Sequence, residues 1–387
     1  KTTDGGGTWE HVLAISDQTG VVDLVMDPED PETIYATAWH KTRYKMAGPE
    51  SGIYKSTDGG ANWKRLGGGL PEGIDMGRSG IAVAATNPNV VYAFIDNCSP
   101  AGDRIVGAEV YRSNDKGQTW KRTHVESLYD VYTEYGWKFA DIRIAPDDEN
   151  ELFILGNRVY HSQDAGKTFE RISEKIVRLH DHKTLAMHLD HHDMWIDPED
   201  PDRVLLGNDG GLFISYDRGA TWLHINNLPI GEFYTIHIDE SVSPFEIYGG
   251  TQDNASHVGP STAQLEDVRE DDWSQVFLDR WGGGDGFVTL PDPTDREWVY
   301  YEHQHGDIYR KKLGGSPLTG AKGDKRIRPR SERGKPPYRF GWHTPFIISH
   351  YNPLTLYVGG NKLLKSIDRG EHWSEVSPEF AQKPELG

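Results

Sequence analysis

The sequence predicts an all-β chain folded as a β-propeller, and three observations carry that expectation. An octapeptide of the form Ser/Thr-x-Asp-x-Gly-x-x-Trp/Phe recurs six times, and seven Pro/Asp-rich turns recur at a similar spacing. The third is compositional: 43 Gly, 12 Trp and 18 Tyr among 387 residues, without long apolar stripes at helical spacing. Turn formers and aromatics in that proportion build many short strands.

The octapeptides run from Thr2, Ser56, Ser113, Ser162, Ser215 and Ser366 to Trp9, Trp63, Trp120, Phe169, Trp222 and Trp373. Their starts are 54, 57, 49, 53 and 151 residues apart, and the last interval equals three periods of about 50. Two units between Trp222 and Ser366 therefore lose the motif while keeping the architecture. Inside each box the Asp carboxylate can accept backbone N–H groups across a tight turn, Gly supplies positive φ, and the aromatic packs between sheets. Asp4, Asp58, Asp115, Asp164, Asp217 and Asp368 are accordingly read as turn staples. Calcium at exposed Asp clusters is the other use such acids have.

Each box follows a short apolar strand, a Pro/Asp turn and a second and third strand, and it leads into a fourth. The turns lie near Asp27, Asn87, Pro146, Asp197, Ser241, Asp292 and Asn352, which makes seven complete four-stranded blades. Their expected spans are 16–68, 69–124, 125–174, 175–226, 227–277, 278–315 and 338–376, with a basic loop insertion at 316–337. Residues 1–15 would supply the last strand of a preceding blade, over 8–15, and 377–387 a tail or linker. Both ends read as joined to further chain.

A balance of 41 Lys+Arg against 60 Asp+Glu, or −19, repels phosphate backbones and anionic lipid, so neither nucleic acid nor membrane insertion is expected. No apolar run approaches the roughly 18 residues of a membrane span. The opening KTTDGGGTWE is not a signal peptide. The single cysteine, Cys98, excludes an intrachain disulfide.

Topology says where to look for a site. Boxes and Pro/Asp turns belong to one end of the blades, and the second-to-third and fourth-to-first connections to the other. The unusual segments fall in the second class: His180 to Asp193, Gly207 to Gly211, Gly249 to Asn254, Arg280 to Gly286, Glu302 to Asp307 and Gly341 to Pro345. Polar groups, Gly and Trp converging on that top face are what a ligand site requires. Glycoside hydrolysis needs two carboxyls flanking a bond. Asp209, Asp253, Asp285, Glu302 and Asp307 are available there, and the first three are the candidate catalytic acids. Trp281 and Trp342 are candidate platforms for sugar faces, with His192, His303, His343, Gln252 and Asn254 as substrate contacts. The competing reading makes these acids local ties of Gly-rich loops.

His180, His182, His188, His191 and His192 cluster within 13 residues, with His303, His305 and His343 in the same class of loops. Zinc or copper accepts imidazoles of this kind, with Asp190 or Asp193 beside them. No HExxH or other ligand spacing occurs, so no metal or cofactor is assigned and hydrogen-bonded or substrate-contacting histidines are expected. GxSxG is absent, and nothing marks Cys98 as activated.

The boxes together with GVVDLVMDPEDPETIYATAW, HDMWIDPEDPDRVLLGNDGGLFISYDRGATW, YGGTQDN, WGGGDGF and WHTP…YVGGNKLLKSIDRGEHW resemble the large bacterial Asp-box (BNR-repeat) "glycosyl hydrolase" and sortilin-like β-propellers, relatives of the xyloglucanase-type propellers. The resemblance covers nearly the whole chain. It implies an exported protein, secreted or periplasmic, that acts on or binds polysaccharide. The sortilin-like alternative implies a non-catalytic propeller that binds a peptide or a protein partner, or a subunit of a larger assembly. In the xyloglucanase pattern a GGGGFV blade carries the catalytic Asp. The similar stretch here, GGGDGFVTLPDPTDREWVYYEHQHGDIYR, has Gln304 at about that position, and Asp209 in GNDGG lies one residue off. Sialidases need an Arg-Ile-Pro segment before the first boxes, and the nearest match, Arg326-Ile-Arg-Pro, lies late in the chain.

Overall fold

The computed structural model describes residues 1–42, 45–71, 75–133, 135–173, 177–178, 184–185, 187–225, 231–262, 273–277, 284–314 and 324–379. Seven sheets of antiparallel strands make the chain a β-propeller of seven four-stranded blades. Four belong to a compact unit spanning Lys1–Asn227 and three to a second spanning Leu228–Gly387.

In the first unit the blades are Thr19–Met26, Ile34–His40, Gly52–Ser56 and Lys64–Arg65; Met76–Val83, Val91–Ala101, Arg104–Ser113 and Lys121–Arg122; Asp141–Ala145, Asp148–Leu155, Val159–Ser162 and Glu170–Arg171; and His191–Ile196, Val204–Asn208, Gly211–Ser215 and Trp222–Ile225. Two short strands, Val177–Arg178 and Thr184–Leu185, extend the fourth sheet to six, the former running parallel to Trp222–Ile225. The second unit holds Phe233–Asp239, Glu246–Thr251, Ser256–Pro260 and Ser274–Phe277; Thr289–Pro291, Trp298–His303, Asp307–Lys312 and Lys325–Arg326; and Phe346–Ile348, Leu356–Gly359, Leu363–Ser366 and Ser374–Glu375.

Side-chain alternation along each second strand explains how blades stack within a unit. Tyr92 and Phe94 pack with Ile142, Leu152 and Ile154 of the third blade, while Val91, Ala93 and Ile95 pack with Tyr35 and Ile53 of the first. Phe153 and Leu155 turn the other way, towards Met194, Leu206 and Trp222. In the second unit Val299 and Tyr301 face Tyr248 and Phe277, while Tyr300 faces Phe346 and Leu356. A strand covered on both faces has no solvent side, which is why these segments read as continuous apolar runs.

The box geometry repeats closely. At Ser113–Trp120 the Ser113 hydroxyl donates to Asp115 Oδ1 at 2.7 Å and accepts from Gly117 N at 2.8 Å, and Asp115 accepts from Thr119 N at 2.8 Å. Two successive residues, Lys116 and Gly117, take φ of 56° and 85°, the second of which only glycine adopts without strain. The N–H at the fourth box position, in Gly59, Lys116, Ala165, Arg218 and Arg369, donates to the first-to-second turn of its own blade. Where that position is cationic, its side chain reaches the preceding blade: Lys116 Nζ to Asp27 at 2.7 Å, and Arg369 Nε to Asp292 at 2.9 Å.

Three local expectations change. Residues 1–15 form the box turn, with Asp4 Oδ1 accepting from Thr8 N at 2.9 Å, but 8–15 join no ladder. The fourth strand of the sixth blade, Lys325–Arg326, lies inside the expected 316–337 loop. Buried Ile327 anchors it beside Phe346, an anchor that the missing box leaves unmarked in sequence. The basic residues there are also engaged: Lys325 and Arg326 pair with Glu371 and Asp307.

Candidate functional site

First strands begin irregularly in several blades, and those irregularities aim side chains. Register shifts fall between Met76 and Ser79, between His191 and Asp193, and between Phe233 and Thr235. They take Gly77 and Arg78, His192, and Tyr234 respectively out of the ladder, at the end opposite the boxes. Bulges re-aim side chains in this way.

In the first unit His192 Nε2 lies 2.6 Å from Asp209 Oδ1, with Asp209 in the hairpin between Asn208 and Gly211 and its N–H on Asp190 O at 3.3 Å. Asp190, at φ 64°, accepts from Asn157 Nδ2, and burial followed by the Asp209 charge raises its carboxyl above the usual range. His191 is fully buried and held neutral, its basicity pulled down to about 3 by burial. His192 also borders a cavity of about 290 Å³ lined by Asp23, Arg78, Ser79, Asp141 and Arg143. Burial pushes Asp141 up to about 6 although Arg143 opposes it. A histidine held by a carboxylate at a cavity edge has the geometry of an acid–base pair. Among the described histidines of the cluster, His188 Nδ1 is 3.1 Å from Leu189 O and His191 Nδ1 is 3.4 Å from Asn208 Nδ2. His180 and His182 lie outside the described residues.

In the second unit the centre is Asp285, 3% exposed. Its Oδ2 accepts from Trp342 Nε1 at 2.6 Å and its Oδ1 from Asp253 N at 3.1 Å, and the Tyr234 hydroxyl donates to the same carboxyl. Asp253 and Ala255, at φ 51° and 70°, form a turn tied to the 284–286 backbone, with Ala255 N donating to Gly284 O at 3.0 Å and Gly284 N donating to Asp253 O at 3.2 Å. Trp342 is thereby fixed by its N–H while half of its surface stays open, and His305 packs edge-on against it at 5.0 Å.

The next residue, His343, stacks on Phe287 at 4.9 Å and is partly exposed. Its Nε2 is 3.9 Å from Glu302 Oε2. Glu302 is fully buried, accepts from Thr344 N through Oε1 at 2.6 Å, and is pushed up to about 8 by burial. At neutral pH it keeps its proton, the condition required of a general acid.

The remaining expected contacts divide. His303 meets the Phe277 ring edge at 4.8 Å, Asn254 Nδ2 donates to Gln252 O at 2.9 Å, and Gln252 N donates to Glu232 O at 2.9 Å. Asp253, Asp285, Trp342, His303 and His343 thus sit at one end of the second unit's blades, and His192 with Asp209 at that end of the first. Trp281 lies outside the described residues. Tyr234 carries no motif signal, whereas Glu302 stands among the available acids without being one of the catalytic candidates. Tyr234 acts through a bulge, which no spacing announces. Glu302 could be found by alternation, because it shares a strand face with buried Tyr300.

No known protein-family profile matches the chain. The chain is 28% identical over 209 residues to the xyloglucanase Xgh74A of Acetivibrio thermocellus, covering 45% of this chain and 22% of that protein. It is 26% identical over 208 residues to a "probable oligoxyloglucan-reducing end-specific xyloglucanase" of Neosartorya fischeri, covering 52% and 24%. The chain therefore spans about a quarter of the length of the curated relatives it matches. Among solved structures, a Niastella koreensis GH74 enzyme aligns with 92% of this chain and 56% of its own at 14% identity and a TM-score of 0.48. A YCF48 structure bound to D1 peptide aligns at 10% identity, TM-score 0.35, covering 90% and 94%. No helix of the described residues is long and apolar enough to cross a membrane.

Proposed function

We propose that this chain is part of an exported, glycoside-hydrolase-like propeller that holds polysaccharide at the blade ends opposite the boxes. The observation that carries the reading is Trp342, an indole half open to solvent and locked by the Asp285 carboxylate. A fixed aromatic face loses little entropy when a sugar ring stacks on it. His343 and protonated Glu302 adjoin it, and the first unit separately carries the His192–Asp209 pair. Similarity to two xyloglucanases over about half the chain supports xyloglucan as the first substrate to try. In this reading Asp209 takes the catalytic role, while Asp285 and Asp253 position the indole.

A binding-only propeller is the second reading, and one observation favours it: Asp285 is already saturated by three donors and almost wholly buried. Reducing-end release from xyloglucan and other β-glucans, measured beside affinity electrophoresis, separates the two. Hydrolysis predicts that Asp209→Asn lowers turnover by about 10² or more with binding retained. Trp342→Ala should weaken binding by about 1–3 kcal/mol in either reading. Binding to no polysaccharide, or binding that Trp342→Ala leaves intact, removes the proposal.

A further inference from the structure

A cavity of about 890 Å³ lies in the first unit and plays no part in the proposal above. It is bounded by the second-to-third connections of the first and second blades and by Trp137. A volume of that size is in the range small ligands occupy.

At its inner wall stands Asp96, 2% exposed, at the point where strand Val91–Ala101 leaves the core. Its Oδ2 accepts a weak Cys98 thiol contact at 3.5 Å, and its Oδ1 has no hydrogen-bond partner among the described residues. Two glycines make room for the carboxyl. A Cβ on Gly136 would fall 2.3 Å from Asp96 Cγ, and one on Gly77 would fall 2.9 Å from Oδ2. An acid cradled this closely, with one oxygen left without a donor and the other met only by a thiol, is costly in a folded protein unless something completes it.

The surroundings indicate what completes it. Asp75 and Asp103 add carboxylates to the lining, and Trp137 adds an indole face. That face already holds an alkylammonium: Lys41 Nζ stands 5.6 Å from the Trp137 ring and 4.9 Å from that of Trp39. Cations are drawn to indole faces by the ring quadrupole. A hydroxyl donor would fill the empty acceptor but leave a buried negative charge uncompensated, whereas an ammonium supplies donor and charge together. We infer that this cavity is a binding site for a ligand carrying a free amine, with Asp96 as its ionic anchor and Trp137 as its apolar wall.

Burial agrees in direction, since Asp96 without a cation is pushed up to about 6, and an ammonium would bring it back down. The charged and titratable groups facing it across the cavity are Asp75, Asp103, His40, Cys98, Lys45 and Arg104. Two sources supply the chemistry, an amino sugar or a lysine side chain of a peptide.

Calorimetric titration of the whole chain at pH 8 tests the inference with four probes: glucosamine, glucose, N-acetyl-lysine methylamide and its amine-free analogue N-acetyl-norleucine methylamide. At least one amine should bind ten-fold or more tightly than its neutral partner, and which one does so identifies the source. Asp96→Asn fits the same cradle and should lower that affinity at least ten-fold at an unchanged circular dichroism spectrum. Trp137→Leu should lower it several-fold, and lowering the pH from 8 to 5 should weaken the wild-type complex. Equal binding of amine and neutral partner in both pairs, amine binding indifferent to Asp96→Asn, or no heat from either amine overturns the inference. None of these outcomes depends on polysaccharide binding at Trp342.

Discussion

The two ends of the blades use the same residue type in opposite ways. At the box end, carboxylates are surrounded by donors: Asp58 and Asp115 are held down to about 2 by Ser, Asn or Thr side chains and backbone N–H groups. At the other end Asp96 and Glu302 stand up at about 6 and 8, because burial outweighs the few donors that reach them. Carboxylates rich in donors close turns and stay charged. Those poor in donors store a proton or await a partner, the state from which binding and acid–base chemistry start. The contrast separates scaffold from candidate site without any motif.

Arg218 gives the largest test. It bridges Asp147 and Asp202, each at 2.7 Å, and Glu151 at 2.5 Å, and Glu151 is 4% exposed. Arg218→Ala should leave Glu151 with only His161, converting a box-end acid into one like Glu302. Equilibrium urea unfolding at pH 7 should show a loss of about 3 kcal/mol, as expected for breaking a buried pair. A loss below about 1 kcal/mol would mean that water already shares the network.

Glu302→Gln is the intermediate test and has the opposite sign. With an ordinary value of 4.5 when unfolded and about 8 when folded, Glu302 costs nothing below pH 4.5. Its cost grows between pH 4.5 and 8, because the native state holds a proton that the unfolded state has released. The amide should therefore match the wild type near pH 4 and exceed it at pH 9 by up to about 5 kcal/mol. Thermal midpoints across that range check it, and parallel pH profiles would show Glu302 charged in the native state.

The smallest effect belongs to Ala165, at φ 63° where the first two boxes carry Gly5 and Gly59. Ala165→Gly should stabilise by up to about 1 kcal/mol through relief of left-handed strain, the unfolded-state entropy of Gly opposing part of it. A loss of stability would show that entropy outweighs the strain.

The boxes were legible because their chemistry is local. Asp, Ser and Gly within eight residues must close the same turn wherever they occur, and a period of about 50 then specifies four short strands. For the same reason the sixth blade was misjudged at its end: without a box, the fourth strand at Lys325–Arg326 depends on Ile327 finding a core some 20 residues distant in sequence. Sequence also brought Asp285 and Trp342 into one class of loops. It did not show that the carboxylate would be spent on the indole N–H and the Tyr234 hydroxyl, because those contacts join segments more than 50 residues apart in the chain.

By itself, then, the sequence determined the repeat, the strand alternation that stacks blade on blade, and the acids that act as staples. Tertiary structure alone decided which remaining acids are deprived of donors. Asp96, Asp141 and Glu302 look like any other carboxyl in the chain. Their proton affinity is set by how many N–H groups and waters distant segments leave within reach, and the exclusion of those donors exists only once the blades have packed.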